Sequence, residues 1–432
     1  MKKYFIIAVA ALAASAACSK VETVNTTPDK KIAFEVANYA AQTKANQSLT
    51  NSEDGIYQFH TLANQFPAIG TPRVFMDTDI FAWKATSHTD ANKLTSGDSP
   101  VIEWAPELDY YWPKTGHINF YSYAGTIAPA VDNTDADKLV VLYDYTDKVI
   151  TATDNILVAD AALYYKRANS ADNAYDVDND GNGADVTAGV PTLFHHQLAK
   201  IIVDVEARTT EAKKSDNTTW KVEILSTHTY TPVGETDPVT IESTIVPINK
   251  GSLALSNTAV ATGNATTQGW TRINEDATNI SGWEPSTTAT DVEKIMLAAG
   301  TEAAPASGVL TIATNSISSG TPVTILAARS VMPQLTSGVK FTLVYKVQAL
   351  HDTTVYLEET RTVGIDAAKV LSNLANTVTS WGANKKITYH IIIDPVSEKV
   401  TFDPAVEDYD PIDADGVRDD ININENGIVP TV

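Results

Sequence analysis

Ile32-Ala33-Phe34-Glu35-Val36 sets a large apolar side chain at every second position, and the same period recurs in short runs along the chain. Residues 74–83, 117–123, 198–205, 220–225, 323–328, 340–349, 387–393 and 400–402 read as strands, with shorter ones at 140–143, 156–159 and 163–165. A helical period is predicted only over 291–298 and 366–371. Long stretches rich in Thr, Asn, Asp and Ala separate these elements, and 250–320 is predicted to hold loops and small elements only. Such a pattern predicts an all-β protein with long polar loops. The 432 residues suffice for two or three domains of ordinary size, and two β-sandwich domains meeting near residue 190 fit the spacing.

The N-terminus constrains where the chain is delivered. Residues 1–20 read MKKYFIIAVAALAASAACSK, with Lys2 and Lys3 before an apolar stretch and small residues leading to Cys18. This is a secretory signal peptide, too short for a spanning helix. Cys18 is the chain's single cysteine. Its place predicts the lipidation site of a bacterial lipoprotein, exported to the outer membrane and cell surface, although Ser15 stands where such sites usually carry Leu. The alternative is an ordinary signal peptide with an incidental cysteine. Beyond Cys18 neither disulfides nor thiolate metal sites are available. The formal charge of −22 argues against nucleic acid and anionic lipid as partners, so the membrane is met only through the lipid anchor.

Residues 104–124 are the most aromatic part of the chain, and Pro113 and Gly116 predict two strands joined by a tight turn. Trp83, Trp104, Tyr110 and Trp112 form either a core with cross-strand pairs or a sugar-binding platform facing solvent. Asp176, Asp178, Asp180 and Asp185 alternate around Gly181, a spacing that suits a loop-type calcium site, with a weaker echo at Asp413 and Asp415. The plain alternative is an acidic surface loop, and no other cofactor is expected. None of the eight histidines lies in a zinc-protease or serine-nucleophile motif, and no glycine-rich phosphate loop occurs, so no enzymatic activity is expected. His195 and His196 are neighbours in a predicted strand, so one faces in and the other out.

Several stretches together resemble a known family. They are Phe34-Glu35-Val36-Ala37-Asn38-Tyr39, Thr43-Lys44-Ala45, Tyr111-Trp112-Pro113 followed by Ile118-Asn119-Phe120-Tyr121, Phe194-His195-His196-Gln197, Met332-Pro333-Gln334, and the closing strands at 384–389 and 400–406. In order and spacing they resemble the Bacteroidetes fimbrillins, type V pilins that include major and minor fimbrial subunits. The resemblance implies two transthyretin-like β-sandwich domains in tandem. It also implies a lipidated precursor, removal of the N-terminal strand by a trypsin-like protease, and filling of the vacated groove by a strand of the neighbouring subunit.

On this chain the resemblance implies a tether and propeptide strand over 19–44, domains over 45–190 and 191–409, and a tail over 410–432. The strand removed is the one carrying Ile32, Phe34 and Val36. Processing falls at Lys44, where the family carries arginine, or alternatively at Arg73. The donor strand is the alternating end with Ile421, Ile423, Ile428 and Val429. The residues leave alternatives open: a permanent first strand, a frayed tail, or a monomeric surface glycan-binding lipoprotein of the nutrient-uptake type. A fimbrial subunit would also meet a ligand on a host or bacterial surface.

Overall fold

The computed structural model describes residues 31–38, 56–67, 69–95, 101–113, 116–133, 140–165, 190–208, 218–258, 270–297, 309–313, 322–351, 353–372, 379–396 and 399–408. The first ten strands are β1 (Phe34–Asn38), β2 (Gln58–Phe66), β3 (Arg73–Trp83), β4 (Glu103–Pro106), β5 (His117–Gly125), β6 (Ala130–Asp132), β7 (Val140–Val149), β8 (Ile156–Ala159), β9 (Ala162–Tyr165) and β10 (Val190–His196). Eight of them form one sheet in the order β2-β3-β4-β1-β10-β8-β5-β9, and β2 also pairs with β5, so the sheet closes on itself. Its inner core gathers Phe34, Phe59, Ile80, Trp104, Ile118, Phe120 and Phe194. Strand β8 reads Ile-Leu-Val-Ala without alternation because both its faces are covered. Leu157 and Ala159 join the inner core, while Ile156 and Val158 join a second one outside it.

The remaining elements are β11 (Ala199–Ala207), β12 (Thr218–Leu225), β13 (Thr227–Tyr230), β14 (Val239–Glu242), β15 (Thr244–Ile245), β16 (Lys250–Thr258), β17 (Thr271–Arg272), β18 (Trp283–Pro285), β19 (Ile295–Met296), β20 (Val309–Ala313), β21 (Val323–Val331), β22 (Gln334–Leu335), β23 (Lys340–His351), β24 (Thr354–Asp366), the helix α1 (Ala367–Ser372), β25 (Ser380–Trp381), β26 (Lys385–Asp394) and β27 (Lys399–Asp408). A four-stranded sheet, β21-β11-β26-β27, faces the sheet β19-β15-β23-β12-β20, to which β24 adds beside β23. Alternate residues of β11, β23 and β26 fill the core between them, with Val203, Phe341, Tyr345, Tyr389 and Ile391 all buried. A third sheet, β17-β16-β7-β6 with β18 beside β16, packs on the outside of the closed sheet. The molecule is thus nearly all β, as the alternation predicts.

Three local expectations are corrected. The strands of 104–124 exist as β4 and β5, but they make no hairpin: β4 pairs with β3 and β1, and β5 with β2, β8 and β9. Gly116 explains the departure. Its φ is +85°, and a Cβ there would stand 2.2 Å from the Phe66 carbonyl oxygen, so this glycine lets β5 start against the end of β2. Residues 291–297 are not helical; Ile295 and Met296 pair with β15 instead. The 250–320 stretch holds a nine-residue strand, β16, which bonds along the whole of β7. The short helix predicted over 366–371 is present as α1.

Candidate functional site

Strand β1 occupies a slot of its own. It runs parallel to β10 through five register pairs, from Phe34 opposite Val190 to Asn38 opposite Phe194. On its other side a single pair, Phe34 opposite Trp104, joins it antiparallel to β4. Just before the strand, the Ile32 N–H donates to the Tyr110 carbonyl at 2.8 Å, and the Val190 N–H donates to the Ala33 carbonyl at 2.8 Å. β1 therefore closes the gap between β4 and β10. Without it, both would present open edges.

The side chains follow the backbone period. Ile32, Phe34 and Val36 are 2%, 2% and 0% exposed. The Phe34 ring stands edge-on to Phe59 at 5.6 Å between centroids and to Phe120 at 5.7 Å. Phe59 in turn meets Trp104 and Phe194. The slot is thus lined by aromatic faces that a large side chain at every second position can fill. Both requirements of strand addition are met, a backbone ladder for affinity and alternate pockets for specificity.

The entrance of the slot is polar. Lys31 pairs with Asp109 at 2.6 Å, and that hydrogen bond raises the lysine above its usual range. The His88 Nε2–H donates to the Glu103 carboxylate at 2.8 Å, and the ring stacks on the Trp83 indole at 4.6 Å. The Trp83 Nε1–H donates to the Ala105 carbonyl and ties β3 to β4. These contacts hold the β4 side of the slot in place.

Among the sequence-predicted residues, Ile32, Phe34 and Val36 come together here. Cys18, Lys44, Ile421, Ile423, Ile428, Val429, Asp176, Asp178, Asp180 and Asp185 lie outside the described residues. Arg73 opens β3, paired in register with Gln65, and its Nε and Nη2 donate to the Gln65 side-chain oxygen at 3.0 and 2.9 Å. A cut there would have to open a paired strand and would release β2 as well as β1. Sequence reasoning missed Phe59 and the whole of β2. Residues 58–66 include Thr61, Asn64 and Gln65, whose polar side chains are buried and mask the alternation.

The aromatic platform is not present. Trp83, Trp104 and Trp112 are buried, and half-buried Tyr110 packs against Phe75 at 6.0 Å. The two adjacent histidines face opposite ways: His196 is buried with its Nδ1 3.0 Å from the Asn155 side-chain oxygen, and His195 meets Asp160 at the surface. Among the described residues, no group of three or more His, Cys, Asp or Glu side chains is placed to hold a metal, and no helix is long and apolar enough to cross a membrane.

No family model and no curated protein matches the chain. Among solved structures, it is similar to a fimbrial protein from Bacteroides vulgatus, with 13% identity over 88% of this chain and 99% of that one and a TM-score of 0.39. It is also similar to a candidate cell adhesion protein from Bacteroides uniformis, with 14% identity over 88% and 98% and a TM-score of 0.33. A third is the fimbrial anchor protein Mfa2 from Porphyromonas gingivalis, with 9% identity over 88% and 96% and a TM-score of 0.27. Likenesses this loose carry no argument by themselves.

Proposed function

We propose that this chain is a structural subunit of a cell-surface fimbria that supports adhesion and is assembled by strand exchange between copies. The observation that carries the reading is the slot of β1: one short strand, ladder-bonded to β10, with Ile32, Phe34 and Val36 buried among Phe59, Trp104 and Phe120. Burial of each large side chain is worth roughly 1.5–3 kcal/mol, so an exchanged strand of the same pattern would be long-lived. In this reading Cys18 carries the lipid that holds the precursor at the outer membrane. A trypsin-like protease cuts at Lys44. The donor is the Ile421, Ile423, Ile428 and Val429 end of the next subunit.

The cut has a physical purpose. While the chain is intact, β1 competes for its slot at the millimolar effective concentration of a tethered segment, and a donor from another molecule cannot match it. Cleavage converts that intramolecular competitor into a dilute peptide. Lys44 falls in sequence between β1 and β2, so cutting there frees β1 alone, unlike a cut at Arg73.

The test uses the full chain with Cys18→Ala. Limited trypsin treatment, N-terminal sequencing and an unboiled gel should show a chain starting at Ala45, loss of the 19–44 peptide and a ladder of multimers. The Lys44→Ala variant should stay monomeric. Cleaved chain that keeps its β1 peptide and forms no ladder would sink the reading in favour of a permanent first strand. The glycan-binding alternative requires solvent-facing aromatics, and burial of Trp83, Trp104 and Trp112 removes its motivating observation.

A further inference from the structure

Strand β24 is thirteen residues long and bonds along its length to β23. Among the described residues, no strand pairs with its other edge. The two edges of the four-stranded sheet are guarded. The outermost strand of the four-stranded sheet, β27, carries Pro404, which cannot donate to a ladder, and β21 is broken by register shifts against β11. β24 has no proline, and its one irregularity, between the Leu357 and Val355 pairs, leaves 357–366 regular. Val355, Tyr356 and Leu357 are 44%, 57% and 39% exposed. A long, regular, partly apolar edge invites pairing with another strand.

The sequence of this edge is complementary to itself. Two copies added edge to edge about a two-fold axis normal to the sheet must run antiparallel, with a residue facing its own copy at the centre. Centred on Thr360, the arrangement sets Glu359 opposite Arg361, Leu357 opposite Val363 and Glu358 opposite Thr362. Leu357, Glu359, Arg361 and Val363 lie opposite Ala349, Val347, Tyr345 and Leu343 of β23, so they share the face that looks toward the core. Both apolar pairs and both charge pairs then fall on one face. Moving the centre by one residue sets Glu359 or Arg361 opposite itself, and opposed like charges destabilise a sheet. In the single chain, Arg361 donates to Glu359 at 2.7 Å, so the same two groups need only exchange partners.

We propose that β24 is an interaction surface for a second copy of this chain, which joins antiparallel about Thr360 and extends the β23–β24 sheet across both copies. One strand pair is small against the ~1,200–2,000 Å² of a standard stable interface. The contact is therefore a weak, concentration-dependent dimer. It is independent of the β1 slot, and its outcome leaves the strand-exchange reading untouched.

The test uses the uncleaved full chain with Cys18→Ala, so that an added cysteine is the only one. Under mild oxidation at high protein concentration, Thr360→Cys should give a disulfide-linked dimer, because the two-fold axis sets residue 360 beside its own copy. Thr362→Cys, which faces Glu358, should not. Sedimentation of chains without added cysteine gives a second readout. Glu359→Arg should raise the dimer dissociation constant at least tenfold, and the swap Glu359→Arg with Arg361→Glu should restore it. Cross-linking at both cysteine positions, at neither, or at 362 alone overturns the proposal, as does a dimer indifferent to Glu359→Arg.

Discussion

Phe34 is the residue on which the slot depends. Its ring meets Phe59 and Phe120 edge to face, a geometry that aromatic quadrupoles favour, and nothing polar replaces those contacts when it is shortened. Phe34→Ala should cost about 3–5 kcal/mol, read as a lower urea midpoint of the uncleaved chain. A loss under 1 kcal/mol would mean that β1 is held by its backbone alone. Tyr143 and Tyr145 tell the opposite story. Both are fully buried, their hydroxyls have no hydrogen-bond partner among the described residues, and burial drives both phenols well above their usual range. An unfolded tyrosine ionises near pH 10. Above that pH the folded chain still holds protons that the unfolded chain has lost, so stability is intact below about pH 10 and falls as pH rises further. An unpartnered buried hydroxyl costs about 1–3 kcal/mol, while the Tyr143 ring, stacked on Trp270 at 4.4 Å, contributes without it. Tyr143→Phe should therefore raise the melting temperature at pH 7 and shift alkaline unfolding to higher pH. A lower melting temperature would reveal a partner for the hydroxyl.

At the scale of elements, alternation served where large apolar side chains mark it and failed where small residues dilute it or a helix period fits the same apolar set. β1, β3, β11, β23 and β26 were legible because a period of two separates core from solvent or from polar neighbours. β16 was not legible. Its Leu253 and Leu255 are buried, but the strand sits among Gly251, Ser252, Ala254 and Ser256 in a Thr/Ser/Ala-rich stretch, and its pairing with β7 spans over a hundred residues. The helix expected over 291–298 failed for a related reason. Ile295 and Leu297 are two apart and both enter the sandwich core, a strand period that a helical reading of the same apolar residues overlooks. The hairpin expected over 104–124 failed because Gly116 directs β5 against Phe66 rather than back along β4. As for the candidate site, the inserted strand was legible from Ile32, Phe34 and Val36. The neighbours that make it a slot, β4 and β10, lie about 70 and 150 residues further on.

At the scale of the whole molecule, the middle core decides how the parts depend on one another. It collects Leu62 and Tyr121 from the closed sheet, Tyr143 and Leu253 from β7 and β16, and Leu198 and Met332 from beside the second sandwich. Trp283 is its largest side chain, fully buried, with its Nε1–H donated to the Gln197 carbonyl at 2.8 Å. Removing so large a contact at the junction should uncouple the cores on either side. In calorimetry the parent chain is expected to unfold in one transition and Trp283→Ala in two. Two transitions in the parent would show that the middle core does not couple them. The sequence by itself determined the all-β class, the apolar face of β1 and the short helix α1, because each of these is written in side chains a few positions apart. Only the tertiary structure decided that β1 lies between two distant strands, that the tryptophans are buried rather than displayed, and that β24 is left as an open edge. Those outcomes depend on which strands meet, and backbone hydrogen bonds, which every residue but proline can donate, carry no mark in the sequence of the partner they will find.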